Sequence, residues 1–342
     1  MSLRLLGGLT PREFLRRHWQ KRPLFVRRAL PGFKEVLSAQ ALARLSLRGD
    51  VESRMVQRRG GRWDTEHGPF QSLKPKARDW TLLVSGVNLC ETGAEALLRR
   101  FSFIPQARLD DVMVSYATPG GGVGPHTDSY DVFLVQGGGR RRWTVWNPEG
   151  KASEWVTSRG DLLYVPPGWR HDGVALEPCF TYSVGFRAPR GAELGAAFLD
   201  WLHERGLPDA RYRDPRLSPS LQPGRIPPEL LWFARKFLSR IRWTGDEVGR
   251  FLGQYLTQPK AHVVFRRSAG GGGRIRLDPK TQLLYDASRF YINGESFSLP
   301  ARDRAPMREL ADRREIAARR LASQSRLIRE WQRAGWLRRD RG

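Results

Sequence analysis

Between residues 53 and 186 the apolar positions come in short runs, each closed by Gly, Pro or a charged residue. Residues 80–84, 111–116, 131–135, 142–146, 161–165 and 179–184 are such runs, rich in Val, Leu, Phe, Trp and Tyr. Their length and residue types predict strands, with Gly137-Gly138-Gly139 separating two of them. Many short strands with this punctuation predict an all-β barrel or sandwich. On either side the apolar period lengthens to that of a helix. Thr10-Pro11-Arg12-Glu13 combines a capping threonine, a proline at the first helical position and a glutamate three residues after the cap. A helix is therefore expected over 10–20, and another over 38–48. After Pro189 apolar residues recur three and four apart over 194–202, 228–241 and 243–256, with a Pro-rich connection at 215–228. Residues 262–265, 282–285 and 289–292 read as strands again. Residues 306–342 read as a charged helical region ending in Leu327, Ile328, Trp331 and Trp336, its charge the mark of a solvated face. Strands packed with helices in a small terminal unit suit a winged-helix-like module.

Composition narrows the class. A hydrophobic content of 40%, with twelve Trp and sixteen Phe, marks a globular chain. No apolar run approaches a membrane span, and the N-terminus lacks the apolar core of a signal peptide, so no membrane association is expected. Cys90 and Cys179 are the only cysteines, too few for a disulfide framework, and a cytoplasmic protein is expected. The formal charge of +24 favours polyanionic partners such as RNA. Only eight of the 59 basic residues are Lys, which reads as a general preference for Arg. Nucleic acid is therefore expected to be at most an incidental partner. The run Gly270 to Gly273 lacks the lysine and hydroxyl residue of a phosphate loop and reads as a turn.

The chemistry concentrates in Gly124-Pro125-His126-Thr127-Asp128 and in His171. Side chains alternate along an extended segment, so His126 and Asp128 share a face. The Gly-rich stretch 118–125 permits sharp turning before them, and an apolar strand follows. His171 comes after the run 161–165 and a Pro166-Pro167-Gly168 turn, which brings the chain back towards the same barrel mouth. Two imidazoles and one carboxylate leave coordination positions open, as in iron(II) sites that take dioxygen and a co-substrate. Zinc with a bound water is the competing occupant, but the His-Glu-x-x-His helix of metalloproteases is absent. His18, His67, His203 and His262 have no comparable setting. Arg140-Arg141-Arg142 opens the following strand. An arginine turned inward there would hold a dicarboxylate by a two-pronged contact, while Arg140 and Arg142 are expected to face solvent.

The stretch 123–133 with Gln136-Gly137 and Arg140-Arg141-Arg142-Trp143 resembles the JmjC-type cupin oxygenases. Within them it is most similar to the bacterial ribosomal oxygenases, the YcfD-like arginine hydroxylases. Residues 161–168 ahead of His171, residues 182–189 and His18-Trp19-Gln20-Lys21-Arg22-Pro23 fit the same family. The resemblance implies a mainly β protein with a double-stranded β-helix barrel. It implies a catalytic domain over 1–190, a helical dimerisation region over 191–258 and a winged-helix-like domain over 259–342, assembled as a homodimer. It implies Fe(II), 2-oxoglutarate as co-substrate and O2. His126, Asp128 and His171 would be the iron ligands. Arg141 would hold the distal carboxylate of 2-oxoglutarate, assisted by Ser115 or a neighbour on its strand. The implied reaction is β-hydroxylation of an arginine in ribosomal protein sixteen of the large subunit. Asp110, Asp111, Asp131 and Tyr130 are then candidates for receiving that guanidinium. Ala117 stands where the resemblance implies a small hydroxyl residue, and the connection between Trp143 and Asp161 is shorter than it implies. The alternatives are a related oxygenase acting on another residue, such as histidine or lysine, and a non-catalytic winged-helix RNA-binding protein.

Overall fold

The apolar runs become strands of two antiparallel sheets. The computed structural model describes residues 3–73, 78–267 and 271–340, so Gly270 of the Gly-rich run lies outside the described residues. They form two compact units, one made of residues 1–188, 259–281 and 302–342, the other of 189–258 and 282–301.

In the first unit the chain begins with α1 (Pro11–Arg17), β1 (Leu24–Val26) and α2 (Ala39–Leu45). Thr10 caps α1 as its sequence predicts: its hydroxyl accepts from the Glu13 amide, and the Glu13 carboxylate accepts from the Thr10 amide. A run of strands follows: β2 (Ser53–Arg59), β3 (Arg62–His67) and β4 (Trp80–Val84). After α3 (Thr92–Arg99) come β5 (Leu109–Ala117), β6 (His126–Thr127), β7 (Val132–Gln136), β8 (Arg141–Trp146), β9 (Ala152–Thr157), β10 (Leu162–Val165), β11 (Arg170–Ala175) and β12 (Cys179–Phe186). One sheet has the order β1-β10-β7-β12-β5-β4-β2-β3, the other β6-β11-β8-β9.

Alternation along the central strands divides the core. Phe133, Val135, Leu162, Tyr164, Tyr182 and Val184 pack with Leu6, Phe14, Leu42 and Phe101 from the helical side. Val132, Leu134, Leu163 and Val165 pack with Trp143 and Val145 of the other sheet. Strands buried on both faces read as continuous apolar runs, which is why these were visible in the sequence. Asp131 is fully buried where it anchors the helical side: its carboxylate accepts from the Tyr164 hydroxyl at 2.6 Å and from Gln20 at 3.0 Å.

The second unit holds α4 (Gly191–Glu204), α5 (Pro228–Leu238) and α6 (Gly245–Thr257), and further on the small meander β14 (Leu283–Tyr285), β15 (Phe290–Ile292) and β16 (Glu295–Phe297). Between these stretches the first unit resumes with β13 (Arg274–Leu277). It ends with α7 (Ala301–Arg313), β17 (Glu315–Ala317), α8 (Ser325–Ala334) and β18 (Leu337–Asp340), with β13 in the middle of the sheet β17-β13-β18. Two expectations change here. Residues 262–265 form no strand: the Val264 carbonyl accepts from the Lys280 ammonium, and Phe265 packs on Trp336. The tail is not helical throughout, because Ile316 and Leu337 are buried as strand residues on either side of β13.

Arg314 ties this end of the chain to the barrel unit. Buried between elements, its guanidinium donates to Glu95 of α3 at 3.0 Å and to the carbonyls of Thr281 and Asp278 at 2.8 and 2.7 Å.

Candidate metal centre

β6 is two residues long, yet its pairing fixes the site. His126 lies directly opposite His171 of β11, and Thr127 opposite Arg170. The two imidazole centroids are 4.3 Å apart. Asp128 follows at the end of β6, its Oδ2 3.7 Å from His171 Nε2. One ligand atom from each of His126, Asp128 and His171 lies within 4.8 Å of the others, so the structure brings the three together.

The backbone orients both rings the same way. His126 Nδ1 lies 2.9 Å from the Gly124 carbonyl, and His171 Nδ1 3.0 Å from the Trp169 carbonyl. A carbonyl only accepts, so Nδ1 of each ring carries the proton and Nε2 keeps its lone pair for a metal. Burial, reinforced by the neighbouring His126, pushes the His171 pKa below the ordinary imidazole value, which favours the neutral ring a metal requires. Loop geometry holds the ends of this arrangement. The Gly168 amide of the Pro-Pro-Gly turn donates to the Asp128 carbonyl at 2.8 Å. Gly124 has φ +80°, and a Cβ there would stand 2.6 Å from the Trp63 indole of β3. Sequence reasoning missed Trp63: it is 63 residues before His126, in a polar hairpin with nothing to mark it.

Further along the same strands is an uncompensated charge. Arg141 of β8 lies opposite Ala175, while His171 is four residues back on the β11 face that Ala175 shares. Four strand residues span roughly 13 Å. Arg141 is only 4% exposed, and its Nε and Nη2 have no hydrogen-bond partner among the described residues. Trp143 lies 5.6 Å from it, ring centroid to guanidinium carbon. An unpaired buried guanidinium is costly, so this interior is built for an anion. Arg140 is instead exposed and paired with Glu177, and Arg142 is exposed. Ser115 is buried on β5, where its hydroxyl donates to the Thr181 carbonyl at 3.4 Å. Thr81 of β4 lies directly opposite Ala117, and its fully buried hydroxyl has no partner among the described residues. The hydroxyl absent at Ala117 is thus present across the ladder. The donor set and the orphaned guanidinium fit a metal with open positions beside a dicarboxylate.

The JmjC domain family matches residues 96–154 and 148–194, and the ROXA-like winged helix matches residues 240–338. The ribosomal protein uL16 3-hydroxylase of Escherichia coli is 37% identical over 85% of this chain and 86% of that protein. The chain belongs to the JmjC-type ribosomal oxygenases. Among solved structures, the E. coli ribosomal oxygenase YcfD in complex with cobalt and 2-oxoglutarate is 31% identical with a TM-score of 0.80, covering 96% of this chain and 98% of that one. The same oxygenase with cobalt and succinic acid is 32% identical with a TM-score of 0.81 over the same shares. The fold is accordingly the JmjC cupin barrel with a ROXA-like winged helix.

Within this oxygenase fold the four candidates for a guanidinium receptor separate. Asp131 is spent on Tyr164 and Gln20. Asp110 faces Lys260 at 3.2 Å and Arg187 at 3.5 Å. Asp111 shares the inward face of β5 with Met113 and Ser115, and its Oδ2 accepts from the Gly86 amide at 2.7 Å. Asp111 Oδ1 and the Tyr130 ring both flank Gly185, where a Cβ would meet them at 3.7 and 3.9 Å. Burial, with Asp110 next in effect, raises the Asp111 pKa to about 6. Burial and the charge of Asp128 push Tyr130 up to about 12, so it stays a neutral phenol.

Proposed function

We propose that this chain is an Fe(II)- and 2-oxoglutarate-dependent dioxygenase that β-hydroxylates an arginine of ribosomal protein sixteen of the large subunit. The observation that carries this reading is the unpaired guanidinium of Arg141 on the strand next to His171, which asks for a dicarboxylate beside the metal ligands. His126, Asp128 and His171 would hold the iron. Arg141 would take the distal carboxylate of 2-oxoglutarate, with Thr81 and Ser115 supplying hydroxyl contacts. Iron(II) with 2-oxoglutarate and dioxygen supplies the power to hydroxylate an unactivated carbon. The protein binds, orients and excludes water: Gly124 and Trp169 fix the imidazole protons, while Trp143 and Val145 wall the barrel. The substrate guanidinium would enter between Asp111 and the Tyr130 ring, where a carboxylate and a π face meet.

The segments 1–190, 191–258 and 259–342 would serve as catalytic, dimerising and winged-helix parts. A homodimer is supported by α5, which has no buried residue although Trp232, Leu231 and Leu238 are 61, 43 and 62% exposed. A ribosomal substrate would place the reaction in the cytoplasm. The test is succinate release with Fe(II), 2-oxoglutarate and the ribosomal protein, read with the mass of the modified peptide. One added oxygen on an arginine, abolished in His126→Ala, is expected. Oxygen added to histidine or lysine overturns the substrate, and unchanged turnover in His126→Ala overturns the metal site.

A further inference from the structure

The electrostatics of this chain oppose the substrate just proposed. Ribosomal proteins that bind RNA are basic, and a protein of charge +24 gains nothing from long-range attraction to one. A surface of phosphates would turn that repulsion into attraction.

α8 has a face that would meet such a surface. It buries Ile328 and Trp331 and half-buries Leu327. Arg326, Arg329 and Arg333 are three and four residues apart on the opposite side, all exposed, over about 10 Å of helix. Arg326 is 90% exposed and bonds Glu330 one turn on. Arg329 and Arg333 have no ion pair among the described residues, nor does exposed Arg319 just before the helix. Some exposed arginines elsewhere are paired, as Arg140 is with Glu177 and Arg159 with Glu35, and others such as Arg142 have no ion pair among the described residues, so what sets α8 apart is the alignment of three on one helix face. Like charges at these spacings weaken a helix, so local stability does not explain the stripe. Each planar guanidinium matches a phosphate. Glu330, the acidic residue among them, is taken up by Arg326, and Ser325 and Ala334 flank the stripe with short side chains, so the contact would be to the backbone and indifferent to sequence.

We propose that the Arg326, Arg329 and Arg333 face of α8 docks on duplex ribosomal RNA and holds the hydroxylase near its protein substrate. Only the choice of RNA as the phosphate source rests on the ribosomal reading of the barrel site.

The test uses the full chain and a fluorescent RNA duplex of about sixteen base pairs, with binding followed by anisotropy between 50 and 200 mM salt. The triple variant R326Q/R329Q/R333Q is expected to bind at least tenfold more weakly at 100 mM salt. Its slope of log affinity against log salt should be shallower by about 2.7, three phosphate contacts' worth. The matched variant R211Q/R213Q/R216Q, which removes three exposed arginines of a loop, should bind as the parent does. Where the triple variant fails to fold, R329Q alone should lower the slope by about one. Unchanged affinity in the α8 variants, an equal loss in the loop variant, or a DNA duplex bound tenfold more tightly than RNA overturns the inference. Succinate release with free ribosomal protein is read in parallel. A parent that binds RNA without turnover sinks the hydroxylase reading alone, and a parent that hydroxylates while its α8 variant binds RNA unchanged sinks this inference alone.

Discussion

Trp63 lies against the α-carbon of Gly124, so close that a Cβ at that position would stand 2.6 Å from its indole. Gly124 in turn presents the carbonyl that fixes the His126 proton. Gly124→Ala must therefore displace either the indole or the carbonyl, at a φ of +80° that alanine resists. Metal affinity is expected to fall roughly 10- to 100-fold, the usual cost of losing an outer partner of a ligand. Titration with Co(II) followed by its visible absorption checks this. Parent-like affinity would show that the contact does not position His126.

Arg141→Gln keeps a polar group but loses the two-pronged cation. The KM for 2-oxoglutarate is expected to rise at least tenfold, about 1.4 kcal/mol, with little change in metal affinity. Thr81→Val keeps the shape and removes only the orphaned hydroxyl. It should raise the same KM several-fold while leaving thermal stability equal or higher, because a buried unsatisfied hydroxyl is itself a cost. Thr81→Ser should restore binding.

Asp111 predicts a pH dependence. Its pKa is raised to about 6, so the carboxylate is charged above that pH and neutral below it. A cationic side chain is then held best above pH 6, and KM for an arginine peptide should climb as pH falls through 6. Asp111→Asn should bind weakly at every pH and lose this step. Stability runs the other way: a carboxyl raised in the fold stabilises it below the ordinary carboxylate range, and that contribution is lost as pH rises through 6. Chemical denaturation at pH 5 and pH 8 should show a smaller loss between the two for Asp111→Asn than for the parent.

Arg314→Met removes a buried cation while Glu95 and two carbonyls stay in place. About 3 kcal/mol of stability should go with it, a drop of several degrees in Tm by calorimetry.

The sequence was most legible where local chemistry and burial coincide. The runs around Phe133, Tyr164 and Tyr182 are buried on both faces, so apolar residues marked these strands almost to their ends. The grouping of His126, Asp128 and His171 was legible because a short pair motif and a turn-borne histidine carry their own flanking signals. β3 and β9 were not singled out, since they lie at sheet edges with exposed, mostly polar residues. Residues 262–265 have the β-branched and aromatic residues of a strand, but a lysine side chain takes a carbonyl that a partner strand would need. Trp63 and Thr81 owe their meaning to register, Thr81 to its pairing with Ala117 and Trp63 to a loop that folds under it. Residue type alone says nothing of either.

The Arg314–Glu95 contact joins residues 219 positions apart. During synthesis Glu95 and the barrel strands emerge long before their partner exists. Until residue 314 leaves the ribosome, the surface of α3 that will meet it stays open to water. The last stage of folding for this unit therefore waits for a residue made 219 positions after Glu95.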